Sequence, residues 1–183
     1  MTHQTDKLKV IANTLSAATS SKKAGWNPPL SGPLNMHIDR NGNWFYQGEP
    51  MLREALIQLF SGILRLEQDG YYLVTPVEKY SITVEAQPFV SRRLEIRAPG
   101  PHQQVVVITN VGDEVVLDAA HPLCFLPIGN DGPLPCVHVR DGLYMLLQRS
   151  HFYQMVEAAL EQAGESDALP GILSSGMLFA LHV

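Results

Sequence analysis

The sequence predicts an α+β protein, and three observations carry that prediction. Apolar residues recur with helical spacing near the start of the chain, again over residues 52–63, and again from Leu143 to Leu160. Between residues 80 and 140 the pattern changes to period-two alternation and short continuous apolar runs, the marks of strands. The chain has 183 residues, 45% of them apolar, which suffices for one domain or two small ones around a real core.

The elements follow in order. Leu8, Ile11, Ala12 and Leu15 form one stripe of a short helix over residues 6–17, with Thr5 or Asp6 as its cap. Ser16 to Lys23 is small and polar, a linker by composition, and Pro28-Pro29 then imposes an extended chain. Met36 to Tyr46 is a hairpin whose Asn41-Gly42 supplies the positive φ angles of a tight reversal. Pro50 is placed to open a helix whose buried face is Leu52, Ala55, Leu56, Leu59, Phe60 and Ile63. A second hairpin runs from Ile63 to Val74 around Asp69-Gly70. Strands follow at 80–84, 89–97, 105–108, 114–117, 124–126 and 135–140, the run Val105 to Ile108 being apolar enough for a central position. Helical spacing returns with Leu143, Leu146 and Leu147 and continues through Phe152, Met155, Val156 and Leu160. The tail from Gly164 to Val183 ends apolar and is expected to dock on the body or on a second subunit. These boundaries divide the chain into residues 1–24, 25–79, 80–163 and 164–183.

Composition excludes several functions. A formal charge of −5, from 13 Lys+Arg against 18 Asp+Glu, is wrong for coating a nucleic acid polymer. No run approaches the roughly 18 apolar residues of a membrane span, and the first residues lack the pattern of a secretory signal. Cys124 and Cys136 are the only cysteines and do not form a Cys-x-x-Cys motif; two free thiols in a reducing cytoplasm are expected.

Motifs for catalysis are weak. The histidines lack zinc-type spacing, and His37 and His138 are the pair that a duplicated element would bring to one ion; no metal and no cofactor are expected. There is no Gly-x-Ser-x-Gly elbow and no phosphate loop. Cys124 near His121 is the one nucleophile–base candidate, and a buried structural cysteine is its simpler reading. Aromatics and cations, by contrast, lie close together: Trp44, Phe45, Tyr46, Tyr71 and Tyr72, then Tyr144, Phe152 and Tyr153, with Arg40, Arg53, Lys79, Arg140 and Arg149 among them. A flat ring and an Arg fork together hold a base and a phosphate, although the same residues also serve as core and as partners of nearby acids. One internal echo, His37-Ile38-Asp39-Arg40-Asn41-Gly42 and His138-Val139-Arg140-Asp141-Gly142, is compatible with duplication or with chance.

Trp44-Phe45-Tyr46-x-Gly48-x-Pro50 with Arg53 and Leu59-Phe60-Ser61, then Tyr71 to Lys79, Thr109 to Asp113, His121-Pro122-Leu123 and His138-Val139-Arg140-x-Gly142-Leu143 resemble the bacterial family DUF1285, over about residues 26–156. Three positions depart from its pattern: Glu85 to Phe89 lacks an Asp, Cys136 replaces an aromatic, and Tyr144 replaces an acid. The resemblance implies two small α+β domains from a duplicated strand–turn–helix motif. It further implies that the C-terminal half is a pleckstrin-homology-like roll with a terminal helix. A nucleotide-like ligand in a cleft between the halves, a signalling role and no catalysis are also implied. On that reading Trp44, Tyr46, Phe152 and Tyr153 offer stacking surface, Arg53, Lys79, Arg140 and Arg149 meet phosphate, and Asn110 reads a base edge or ribose hydroxyl. The alternative is an adaptor acting through a sheet edge or the apolar tail, through which a homodimer also becomes possible.

Overall fold

In the computed structural model, which describes residues 5–17, 25–163 and 171–182, the chain forms an α+β protein of two units. The expected linker after residue 17, the start of the tail at 164–170 and the last residue lie outside the described residues. The first unit comprises the chain up to Asp39 and Asn43–Glu85; the second comprises Arg40–Gly42 and the chain from Ala86 onward.

The first unit contains α1 (Thr5–Ala17), β1 (Leu30–Ile38), β2 (Trp44–Tyr46), β3 (Glu49–Pro50), α2 (Glu54–Ser61), β4 (Leu64–Glu67), β5 (Gly70–Val74) and β6 (Lys79–Val84). Its six strands stand in the order β3-β2-β1-β6-β5-β4, antiparallel except for the central pair β1 and β6, which run parallel. Alternation places Leu34, Met36 and Ile38 of β1 in the core with Trp44, Phe60, Leu73 and Val74, and α1 adds Ile11 and Leu15. Two sequence expectations change here. Pro50 does not open the helix but pairs with Phe45 as part of an edge strand, a position where the missing N–H costs nothing. Helix α2 is therefore shorter than its apolar spacing implied, and Leu52 is left 86% exposed. Strand β6 pairs with both β1 and β5, so the change of unit comes at residue 86 rather than at 80.

The second unit contains β7 (Phe89–Arg97), β8 (Gln104–Thr109), β9 (Glu114–Val116), β10 (Leu123–Pro127), β11 (Pro133–Arg140), β12 (Leu143–Leu146), α3 (Arg149–Ala163), β13 (Gly171–Ser174) and β14 (Met177–Ala180). Its large sheet has the order β10-β11-β12-β7-β8-β9, and again one pair, β7 with β12, is parallel. Read from β9 inward, this is the neighbour order of the first sheet: the first and last strands of each set of six meet in the middle. Strand β8, expected to be central, is second from an edge. Its apolar run is nonetheless explained, because Val105, Val106 and Val107 are all buried.

This sheet cannot be flat. The Leu117 amide bonds Val105 and the His138 amide bonds Pro122, so residues 118–121 alone join the two edges. Five Cα steps reach about 18 Å at most, whereas six flat strands would set their edges about 24 Å apart. The Asp118 side chain shortens the connection further by accepting the Ala120 and His121 amides. Curling is the only way to close that distance, in keeping with one sheet being a half-barrel.

Two more expectations are corrected. Leu143 and Leu146 lie on strand β12, and the helix starts only at Arg149. The echoed elements are each strand–turn–strand, not strand–turn–helix, and they occupy different turns, β1–β2 and β11–β12. The tail folds as the hairpin β13–β14 and docks on its own unit: Ser174 Oγ, fully buried, donates to Leu117 O at 2.7 Å and accepts from Val105 N at 2.9 Å.

The sharpest local constraint is Gly42, with φ +79°, where an added Cβ would sit 2.6 Å from Asn110 Nδ2 and 3.0 Å from Val90 Cγ2. Gly42→Ala is expected to lower stability by about 1–3 kcal/mol through backbone strain and this crowding. Asn110→Ala is expected to lower it by a comparable amount through two lost hydrogen bonds. The double variant should be less damaged than the sum, because removing the amide clears the clash. Urea midpoints of the four proteins measure this directly.

Candidate functional site

The second unit encloses a cavity of about 360 Å³, within the usual range for small-ligand sites. Its walls come from the start of β7 (Val90), from β11 (Leu134, Pro135), from the end of β12 (Leu146, Leu147), from the start of α3 (Gln148, Arg149, Phe152, Tyr153), and from Arg40 and Asn41. Two polar side chains set this geometry. Asn110 accepts the Val90 amide through Oδ1 at 3.0 Å and donates to Gly42 O through Nδ2 at 2.7 Å, which fixes residues 40–42 against β7. Ser91 Oγ, fully buried, accepts the Gln148 amide at 2.8 Å and lies 2.8 Å from His151 Nδ1. Ser91 Oγ and His151 Nδ1 share a hydrogen bond beside the one from the Gln148 amide, and the first turn of α3 is pinned to the sheet. Phe152 is held edge-on to Phe125, with ring centroids 5.9 Å apart.

Among the described residues, Arg40 and Arg149 are the only charged ones lining the cavity. Arg40 is ion-paired to Asp131 at 2.6 Å. Arg149 is exposed and makes no hydrogen bond or ion pair among the described residues. The cavity therefore pairs an apolar body with one uncompensated guanidinium. A guanidinium fork beside apolar surface is chemically suited to an oxyanion carried on an apolar group.

Sequence-expected site residues divide between the two units. Arg149, Phe152 and Tyr153 all line the cavity. Asn110 and Arg140 belong to the same unit but are otherwise engaged: Asn110 clamps backbone, and Arg140 lies 3.3 Å from Asp113 and 5.0 Å above the Phe89 ring. Trp44, Tyr46, Arg53 and Lys79 are in the first unit. Trp44 is 2% exposed and works as core, its Nε1 without a hydrogen-bond partner among the described residues. Tyr46 is half-buried on β2. Arg53 precedes α2 at its N-cap position, and Lys79 is held 2.8 Å from Glu67 and over the Tyr72 ring. Sequence reasoning missed Val90, Leu134, Pro135 and Leu146, because apolar strand residues carry no chemical mark of facing a cavity rather than a core. In the sequence Arg40 is marked only by its nearness to aromatics.

The nucleophile candidate lacks its geometry. Cys124 stands opposite Cys136 on β10–β11 and directs its thiol to the Cys136 carbonyl, while His121 directs Nδ1 to the His138 carbonyl. Burial raises both thiols, Cys136 up to about 12, so the thiolate is disfavoured. His37 bonds Glu85 and stacks on Phe45, whereas His138 bonds Ala120 O. No three His, Cys, Asp or Glu residues gather as a metal site among the described residues. No described helix is long and apolar enough to cross a membrane.

Two outcomes follow from these environments. Burial lowers His151 below its ordinary 6.5, so the folded state binds fewer protons there than the unfolded state. Its contribution to stability is present above about pH 6.5 and is lost as pH falls through the lowered folded value. Thermal midpoints should drop from pH 7 to pH 5, and His151→Gln should flatten that slope while leaving a lower plateau. Iodoacetamide at pH 8 should alkylate native protein far more slowly than protein unfolded in guanidinium, at both cysteines.

Known proteins place this architecture. Residues 24–87 match the domain of unknown function (DUF1285), N-terminal domain, and residues 88–181 match the protein of unknown function (DUF1285), C-terminal domain. The crystal structure of a DUF1285 family protein from Silicibacter pomeroyi DSS-3 is similar at 39% identity and a TM-score of 0.75, covering 93% of both chains. That of a DUF1285 family protein from Shewanella baltica OS155 is similar at 26% identity and a TM-score of 0.52, covering 68% of this chain and 92% of the other. No protein of curated function matches. On the strength of both domain matches and a similarity to the Silicibacter protein that extends over 93% of both chains, the chain belongs to the DUF1285 family.

Proposed function

We propose that the protein is a cytoplasmic, non-catalytic binding protein for a small anionic ligand, nucleotide-like in joining a flat apolar body to an acidic group, with a role in signal transduction. The observation that carries this reading is the second unit's cavity: apolar walls, two aromatic rings and a guanidinium without an acid partner among the described residues. Within the same proposal the second unit is a pleckstrin-homology-like roll closed by α3. The shared strand order of the two sheets supports duplication of a whole six-strand set rather than of the short echoed motif.

A thermal-shift panel of mono-, di-, tri- and cyclic nucleotides and aromatic acids tests the reading. A ligand at a hundred times its Kd adds about 2.7 kcal/mol, which raises the midpoint by roughly 5–10 °C for a chain of this size. Tyr153→Ala, at an exposed wall position, should shrink the shift. A flat response across the panel, with cooperative unfolding of every sample, overturns it.

One observation favours a second reading, an adaptor. Among the described residues strand β14 pairs only with β13, and its Met177 and Leu178 are uncharged and exposed, Leu178 at 72%. Removing the tail is a poor test, since Ile172 and Ser174 are buried in the unit. Leu178→Lys alters the exposed edge alone; under this reading it abolishes self-association or partner capture measured by light scattering and pull-down, and under the ligand reading it changes neither.

A further inference from the structure

We propose that the cavity selects a singly charged anion, one carboxylate or one phosphodiester on an apolar body, and discriminates against polyphosphates. This rests on the reading of the cavity as an anion site and narrows it by charge. Among the described residues the lining contains two cations and no carboxylate or imidazole. The Arg40 guanidinium already faces Asp131 at 2.6 Å, so its charge is largely offset before any ligand arrives. Arg149 remains, and it has no ion pair or hydrogen bond among the described residues. One net positive charge balances one negative charge. A nucleoside di- or triphosphate would bring two or three more, with no further Lys or Arg in the lining to meet them. Sites for such groups use several cations, metal ions or nests of backbone N–H groups.

The remaining lining fits the other half of such a ligand. Val90, Leu134, Pro135, Leu146 and Phe152 present hydrocarbon and ring edge, against which a flat or branched apolar group is desolvated at no polar cost. Gln148, at the start of α3, offers an amide able to meet one neutral polar edge on the same body. An Arg fork meets a carboxylate and a phosphodiester in the same bidentate manner. Those two sources share the chemistry, and the experiment separates them.

The test is isothermal titration of the full chain with four probes plus two uncharged twins: 2-naphthoate against 2-naphthamide, 3′,5′-cyclic AMP against adenosine, then AMP and ATP. The expected result is that naphthoate or cyclic AMP binds about tenfold or more tightly than its uncharged twin and than ATP. Which of the two does so names the source. Arg149→Gln, at an exposed position, should remove that tenfold advantage while far-UV circular dichroism and the thermal midpoint stay at wild-type values; Arg149→Lys, which keeps the charge without the fork, should retain part of it. ATP binding more tightly than both monoanions overturns the single-charge proposal and leaves the anion site standing. Uncharged twins binding as well as the anions overturn both. An undiminished preference in Arg149→Gln overturns the assignment of the selecting charge, and no binding by any probe overturns the site as a whole.

Discussion

Each sheet depends on a parallel pairing between the first and last of its six strands, β1 with β6 and β7 with β12. Everything else in the second unit follows from that pair. Meeting in the middle sends β9 and β10 to opposite edges, and the short connection between them forces the curl. The register of that pair sets Met145 opposite Phe89 and Leu146 opposite Val90, so β12 ends beside the start of β7. The chain leaving β12 then meets Ser91, which accepts the Gln148 amide and starts α3 at that spot.

Buried polar groups do the positioning. Ser91, Ser174, Gln103 and Thr109 are all within the core, and each bonds backbone that no strand ladder satisfies. Such groups are costly if unpaired, so the arrangement that pairs them is specified more sharply than apolar packing alone could achieve. Gln103 illustrates this: its side chain donates to Leu173 O and accepts from Gln162, tying the terminal hairpin and α3 to the end of β8. The cavity walls are thus held by elements that are themselves bonded elsewhere, which is the condition for a preformed site.

Several cations of this protein face carboxylates. Lys79 with Glu67, Arg140 with Asp113, Arg40 with Asp131 and Arg97 with Glu95 and Glu114 account for much of the cationic surface. An acidic chain can still present a positive site if one guanidinium is placed where no acid follows it. Arg149, at the exposed start of α3, has no acid partner among the described residues and stands beside the apolar walls of the cavity.

By itself the sequence determined the α+β class, the turns at Asn41-Gly42, Asp69-Gly70 and Asp141-Gly142, and most strand positions. These are local properties, set by side-chain periodicity and by φ angles that few residues adopt. Only the tertiary structure decided that Leu143 to Leu146 extends a sheet rather than a helix, because four residues satisfy both periods and the ladder with β11 and β7 breaks the tie. It also decided that β6 closes the first sheet, that the two echoed turns are not equivalent, and that Trp44 is core. The same holds for the cations: proximity in sequence to an aromatic says nothing of which acid lies opposite. Lys79, Arg140 and Arg149 look alike along the chain and differ only in the carboxylates that folding brings to them, since ion pairs form between residues up to 91 positions apart.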